Sequence, residues 1–293
     1  MTPTVSICIP VYNGGTFVDE TICSVLAQTY EDFELVVVDN VSTDDSLERL
    51  ERYALAHPGV RVVAAAEHVS AVENFRRATA LCTGRYVKLL CADDTIAPTC
   101  LQQQVEALNA HPSASLVASR RAIADETGRV LMRRHGLYRM RGLIPGRKAI
   151  AQCVRGGTNL IGEPAAVLVR AEALAQTGSW SDTWPYMTDL ELWFRLLHHG
   201  DLVALADSLA TFRVHTTSWS ATMGHTQAGQ AKRLFRREFE HPSGAVRRSD
   251  VIIGSLKAEL LQRARRGVYL WHDLAARRRV SVDDRRPAPL GHS

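Results

Sequence analysis

Asp93 and Asp94 stand side by side where the apolar run "YVKLLC" (86–91) stops. Adjacent carboxylates repel each other and are costly to desolvate, so a chain that places them at the end of a buried strand needs something to compensate them. Two further polar groups follow apolar runs in the same way. Tyr12 and Asn13 come after "VSICIPV" (5–11), and Asp39 and Asn40 close "FELVVVDN" (33–40). Taken singly, Asp and Asn are ordinary turn residues. Three such groups after three strand-like runs argue for one shared binding edge.

The elements that must carry these residues alternate. Strand-like runs at 5–11, 33–39, 60–66 and 85–91 are separated by helical patterns at 17–28, from about Ser42–Asp45 to Pro58, and at 70–82. Strands that are apolar throughout and alternate with helices predict an α/β fold with a mainly parallel sheet covered on both faces. Ligands of such sheets bind outside the carboxyl ends of the strands, where the three polar groups fall. The second part is less regular. It predicts a helix at 100–108, strands at 115–119, 165–170 and 209–215, and a strong amphipathic helix at 187–200. Helices are expected at 226–239 and 250–279, and the Pro-rich end from Arg285 is expected to lack fixed structure. The expected division is a catalytic domain over 1–220 (halves 1–95 and 96–220), a helical appendage over 221–284, and a tail over 285–293.

With 293 residues, 46% of them hydrophobic, the chain can bury a large core. Its net charge of +4 is mild and its basic residues gather late in the sequence, which gives nucleic-acid binding little support. No apolar run is long enough to span a bilayer. The N-terminus enters a strand pattern directly, so a cytoplasmic protein is expected. The six cysteines form no C-x-x-C pair and read as buried thiols, not as a zinc site or a disulfide frame.

Several segments, in order, resemble the family 2 glycosyltransferases of the GT-A fold: "VSICIPVYNGGTFVDETICSVLAQTYEDFELVVVDNVSTDDS", "NFRRATALCTGRYVKLLCADD", "TDLELWFRL" and "FRVH", across roughly residues 4–220. The resemblance implies an inverting transfer of a sugar from a nucleoside diphosphate to an acceptor hydroxyl. It implies a divalent cation, Mg²⁺ or Mn²⁺, on Asp93 and Asp94, with Asp93 also a candidate ribose contact. Hard oxygen ligands suit such a cation, and bound charge would offset the carboxylate repulsion. His215 is a further candidate ligand or a packing residue. Where the family often has a third acid this chain has Cys91, a soft ligand poorly matched to Mg²⁺ and read as packing.

The resemblance also assigns the base pocket to Pro10, Val11, Tyr12, Asn13 and Asp39, with Asn74 and Lys88 as further candidates. An acceptor-only carboxylate at Asp39 suits the ring N–H of uracil or thymine, which favours a UDP or dTDP donor. The implied catalytic base is Asp189. In "TDLE", Thr188 and Glu191 have the spacing of a capping box, which would leave Asp189 in the first helical turn, pointing outwards and kept ionised by the helix dipole. On the acceptor side stand Glu163, as sugar contact or cap, and Trp180 and Trp184, as stacking platforms or core plugs. Arg213 is a diphosphate contact or an ion-pair partner.

The basic stretch 256–279 reads either as a helix packed on the catalytic domain, the favoured reading, or as a peripheral contact with anionic membrane. Two rival functions are weaker. A sugar nucleotidylyltransferase would need a basic Gly-rich loop after the first strand, and "PVYNGGTFVDE" has no Arg or Lys. A non-catalytic sugar-nucleotide-binding protein would bind without turnover. Asp94→Ala is expected to lose most activity while Cys91→Ala keeps a substantial share, with thermal unfolding to confirm that both variants fold; equal losses would refute this division of labour.

Overall fold

The computed structural model describes residues 2–215 and 222–264. Its first half is the expected alternation: β1 (Val5–Val11), α1 (Phe17–Leu26), β2 (Phe33–Asp39), α2 (Ser46–Ala56), β3 (Val60–Ala64), α3 (Ala71–Ala80) and β4 (Tyr86–Leu89). These four strands run parallel in the order β3-β2-β1-β4. The register sets Val11 beside Asp39 and Cys8 beside Leu89, so the carboxyl ends of β1, β2 and β4 reach one edge of the sheet. All of β1 is buried, as are the last five residues of β2, which is why neither shows polar alternation.

The sheet continues with a different logic. After the short β5 (Thr95–Ile96) and α4 (Cys100–Ala110) come β6 (Ala114–Asp125), β7 (Val130–His135), β8 (Gly142–Ile144) and α5 (Gly146–Gly156). Then follow β9 (Val167–Arg170), α6 (Ala171–Thr177), α7 (Thr188–His199) and β10 (Asp201–Val214). β9 lies antiparallel between β4 and β6, and the order runs on through β10 to β5. β6 and β10 are longer than their apolar cores at 115–119 and 209–215 suggest, because they pair in parallel over almost their whole lengths.

Two local expectations give way to tertiary contacts. Thr188 is not the N-cap of α7; Met187 is, and the Thr188 hydroxyl donates to the Ser181 carbonyl at 2.8 Å. Glu191 is drawn away from the helix start by Arg195 (3.0 Å) and Arg237 (2.7 Å). Lys88 is not a pocket residue. It is fully buried, and its ammonium donates to Gln104 Oε1 and the Val167 carbonyl, each at 3.0 Å. Burial lowers its pKa, and the two acceptors tie β4 to α4 and β9.

The last described helices are α8 (Gln227–Glu240) and α9, residues 248–264. α9 lies against α5, in keeping with the packed reading; Arg265 to Arg279 and the tail lie outside the described residues. The approach is backbone to backbone: a Cβ on Gly254 would stand 1.8 Å from the Val154 carbonyl oxygen, and one on Gly157 2.6 Å from that of Gly254. Among the described residues no helix is long and apolar enough to cross a membrane. Gly254→Ala should therefore push α9 off α5 and cost about 1–3 kcal/mol, read as a lower unfolding midpoint and faster proteolysis near residue 250; an unchanged midpoint would contradict this packing.

Candidate active site

The turn after β4 is closed by the Asp94 N–H donating to the Cys91 carbonyl at 3.1 Å. Asp94 is fully buried. One carboxylate oxygen accepts the Arg213 backbone N–H at 3.0 Å, and Oδ2 has no hydrogen-bond partner. From α1, the Thr21 hydroxyl lies 2.9 Å from both the Ala92 and Asp94 carbonyl oxygens and pins the turn.

Arg213 brackets the turn from β10. Its Nε donates to the Asp93 carbonyl at 3.0 Å, its Nη1 to the Glu126 carbonyl at 3.3 Å, and its Nη2 pairs with Glu20. The guanidinium also stacks 4.8 Å above the Phe17 ring. With its donors so engaged, Arg213 holds the turn in shape, which is the ion-pair reading of this residue. Asp93 is half-buried, and its carboxylate lies 2.9 Å from His215 Nε2.

Burial, with the Asp93 charge beside it, holds the Asp94 carboxyl well above the usual carboxylate range, although the Arg213 N–H opposes this. Ligand atoms of Cys91, Asp93 and Asp94 all lie within 4.8 Å of one another. Burial, then the charges of Asp94 and Asp93, keep the Cys91 thiol protonated. A neutral thiol beside two carboxylates is a poor donor, whereas the unpartnered Asp94 oxygen and the Asp93 carboxylate suit a hard divalent cation.

At the ends of β1 and β2 the loops are laced together. The Asn13 N–H donates to Ser42 Oγ at 2.9 Å, and Asn13 Oδ1 accepts from the Thr43 N–H at 2.8 Å. Asp39 is buried, with Oδ2 accepting the Ser42 N–H at 3.1 Å and Oδ1 unpartnered. Asn74 spends its amide on the Val11 carbonyl at 3.4 Å and leaves Oδ1 buried and unpartnered. Pro10 and Val11 are buried beneath this edge, and Tyr12 is 49% exposed with its ring 4.4 Å from that of His68.

Asp189 sits in the first turn of α7, half-buried and turned into the protein rather than outwards. Its Oδ1 accepts the Leu190 N–H at 2.8 Å and its Oδ2 accepts from Asn159 Nδ2 at 3.0 Å. Asn159 is itself fixed, because its Oδ1 accepts the N–H groups of Ile161 and Gly162 at 3.1 and 3.0 Å. Desolvation, followed by the nearby Glu163 charge, raises the Asp189 pKa to about 7. The helix start therefore does not dominate its ionisation. Glu163 pairs with the buried Arg121 of β6. Gly136, at φ +86°, makes room for that guanidinium; a Cβ there would stand 2.2 Å from Arg121 Nη1.

The tryptophans follow the plug reading, not the stacking one. Trp180 is buried, edge-on to Phe75 (5.3 Å) and Trp193 (5.8 Å). Trp184 carries the Arg237 guanidinium 4.8 Å above its ring. Thr21, Asn159 and Arg121 escaped the sequence reading. Asn159 had a signal in its place within "GTNLIGEP"; Thr21 and Arg121 reach the site only through the tertiary fold.

The family model for glycosyl transferase family 2 matches residues 6–178. A Mycobacterium tuberculosis protein, the uncharacterized MT1568, is 27% identical over 75% of this chain and 70% of its own length. An uncharacterized glycosyltransferase of Haemophilus influenzae is 22% identical over 82% of this chain and 74% of its own. Among solved structures, Staphylococcus aureus TarS 1–349 in complex with UDP-GlcNAc superposes with a TM-score of 0.64 at 16% identity, covering 81% of this chain and 65% of that one. The mannosyltransferase PcManGT of Pyrobaculum calidifontis, in complex with GDP-Man and Mn²⁺, gives 0.63 at 19% identity over 89% and 70%. The solved structures share the fold, and the family match spans more than half of the sequence: the chain belongs to glycosyltransferase family 2.

Proposed function

We propose that this protein is an inverting glycosyltransferase that moves a sugar from a nucleoside diphosphate to an acceptor hydroxyl, with Mg²⁺ or Mn²⁺ held by Asp93 and Asp94. The observation that carries the proposal is a pair of carboxylate environments around one sheet edge. On one side Asp94 keeps a buried oxygen without a partner; on the other Asp189 is held by Asn159 with its pKa raised to about 7. Two carboxyls so differently placed suit two roles, one for cation binding and one for proton transfer.

The roles follow from the groups. A bound divalent cation would offset the charge that develops on the leaving diphosphate. The acceptor oxygen attacks the anomeric carbon from the side opposite the diphosphate. The bond from that carbon to the diphosphate oxygen breaks with its electron pair on the diphosphate, and the hydroxyl proton passes to Asp189. A base with a pKa near neutrality is well matched to that transfer. Asn159 fixes the carboxylate, and the Glu163 charge keeps it basic. The unpartnered Asp39 Oδ1 supports recognition of a base that presents a ring N–H, such as uracil or thymine, and a UDP or dTDP donor is the one proposed.

Slow donor hydrolysis, in which water replaces the acceptor, gives an assay that needs no knowledge of the acceptor. With UDP-sugars and Mn²⁺, the rate should rise with pH as Asp189 ionises, about tenfold per unit below pH 7, and level off above it. Asp189→Asn should lower the rate by about 10²–10⁴ and remove that limb, with nucleotide binding retained. A rate indifferent to the substitution would refute the assignment of the base.

A further inference from the structure

We propose that the β7 hairpin is a docking rim for an anionic acceptor glycan, one bearing phosphate or carboxylate groups. This inference rests on the glycosyltransferase reading and names the acceptor class for the same site. Both ends of the hairpin are fastened to the machinery described above. At one end the Glu126 carbonyl accepts from Arg213 Nη1, and Gly128 lies beside the same guanidinium. At the other end His135 pairs with Arg121 across β6, and the Leu137 N–H donates to the Leu160 carbonyl at 2.7 Å, next to Asn159. The segment between them therefore spans from the Asp93–Asp94 turn to the Asp189 side.

That segment is unlike ordinary protein surface in two ways. Residues 130–134 of β7 are all exposed, so neither face of the strand is covered, although Val130, Leu131 and Met132 are 45–48% accessible. A strand with apolar residues open on both faces points to a contact made with something else. The segment is also strongly cationic. Arg129, Arg133, Arg134, Arg139 and Arg141 fall within thirteen residues of a chain whose net charge is only +4. All five are exposed, and among the described residues Arg133, Arg134, Arg139 and Arg141 form no ion pair within 4.0 Å.

The site inside the rim carries five carboxyls, Glu20, Asp93, Asp94, Glu163 and Asp189, against two guanidiniums, those of Arg213 and Arg121, which pair with Glu20 and Glu163. A neutral acceptor needs no cationic border to approach it. An anionic acceptor would be repelled without one, and guanidinium groups bind both carboxylate and phosphate in bidentate fashion. The exposed apolar side chains and Tyr138 offer surfaces for the C–H faces of sugar rings. The rim is tied at Leu137 to Leu160, next to the Asn159 that holds the proposed base, and this link to the acceptor side favours a glycan over a lipid surface.

The test uses the full chain and four probes: polygalacturonate, inorganic polyphosphate, dextran as the neutral polymer, and phosphatidylglycerol vesicles. Calorimetry at low salt should show at least one anionic polymer binding about tenfold or more tighter than dextran, with the affinity falling as salt is added. The variant Arg133→Gln/Arg134→Gln/Arg139→Gln should lose about tenfold or more. The control Arg52→Gln/Arg233→Gln/Arg236→Gln, with the same change in net charge away from the rim, should keep its affinity. Three results would overturn the proposal: equal binding of charged and neutral polymers, equal losses in both triple variants, or binding to vesicles alone. Metal-dependent stabilisation by nucleoside diphosphate, measured on the same variants, reports separately on the donor site. Its absence would count against the glycosyltransferase reading, and its persistence alongside lost polymer binding would locate the defect in the rim.

Discussion

The structure turns on the adjacent carboxylates Asp93 and Asp94, the first half-buried and the second fully buried. Neighbouring carboxylates at the end of a buried strand are tolerated only if charge or hydrogen bonds reach them. Arg213 supplies both from the far end of the sheet, through its backbone N–H to Asp94 and its guanidinium to the Asp93 carbonyl. That contact explains why β10 is long and why it pairs with β6 over nearly its full length: the strand must deliver residue 213 to the edge where β4 ends. The bracket is incomplete by one oxygen. Asp94 Oδ2 remains buried without a partner, and the proposed cation would be its counterpart.

Across the edge the protein solves the opposite problem. The proposed catalytic base, Asp189, must be partly desolvated to be basic, yet held firmly enough to act. Asp189 meets the first demand through burial and the neighbouring Glu163, and the second through Asn159, whose own amide is locked by Ile161 and Gly162. Glu163 in turn keeps its place because Arg121 pairs with it from β6. The antiparallel β9 and the buried Lys88 join the two halves, so that the carboxylates of the nucleotide side and of the acceptor side share one rigid frame.

How much of this could be read from the sequence depends on whether the signal was local. The parallel half was legible because β1, β2 and β4 are buried on both faces and their polar residues cluster at the strand ends. Asp39, Asp93 and Asp94 stood out for the same reason. β7 and β8 were missed because an exposed strand and a three-residue strand carry no hydrophobic period. The end of β6 was missed because Arg121 interrupts its apolar run for a reason that lies across the sheet, and for β10 the expected strand already held Arg213 but left out the first part, from Asp201 to Ser208. Thr188 and Glu191 had capping-box spacing, but the Ser181 carbonyl and the guanidiniums of Arg195 and Arg237 outcompeted the local arrangement. Lys88 was a candidate for the base pocket, and only Gln104 and the Val167 carbonyl reveal why it is inside. Trp180 and Trp184 had the composition of a sugar platform, but Phe75, Trp193 and Arg237 use their surfaces.

The central claim is that the Asp93–Asp94 turn completes itself with a divalent cation and a nucleoside diphosphate. Thermal unfolding with UDP, dTDP and GDP, each with and without Mn²⁺, in the wild-type chain and in Asp94→Asn tests it most directly, because a ligand that binds only the folded state raises the midpoint. The account predicts that nucleotide and Mn²⁺ together stabilise the wild type by more than the sum of their separate effects, with UDP or dTDP the most effective, and that Asp94→Asn abolishes the metal-dependent part. No metal-dependent stabilisation by any of the three, or an undiminished one in Asp94→Asn, would contradict it.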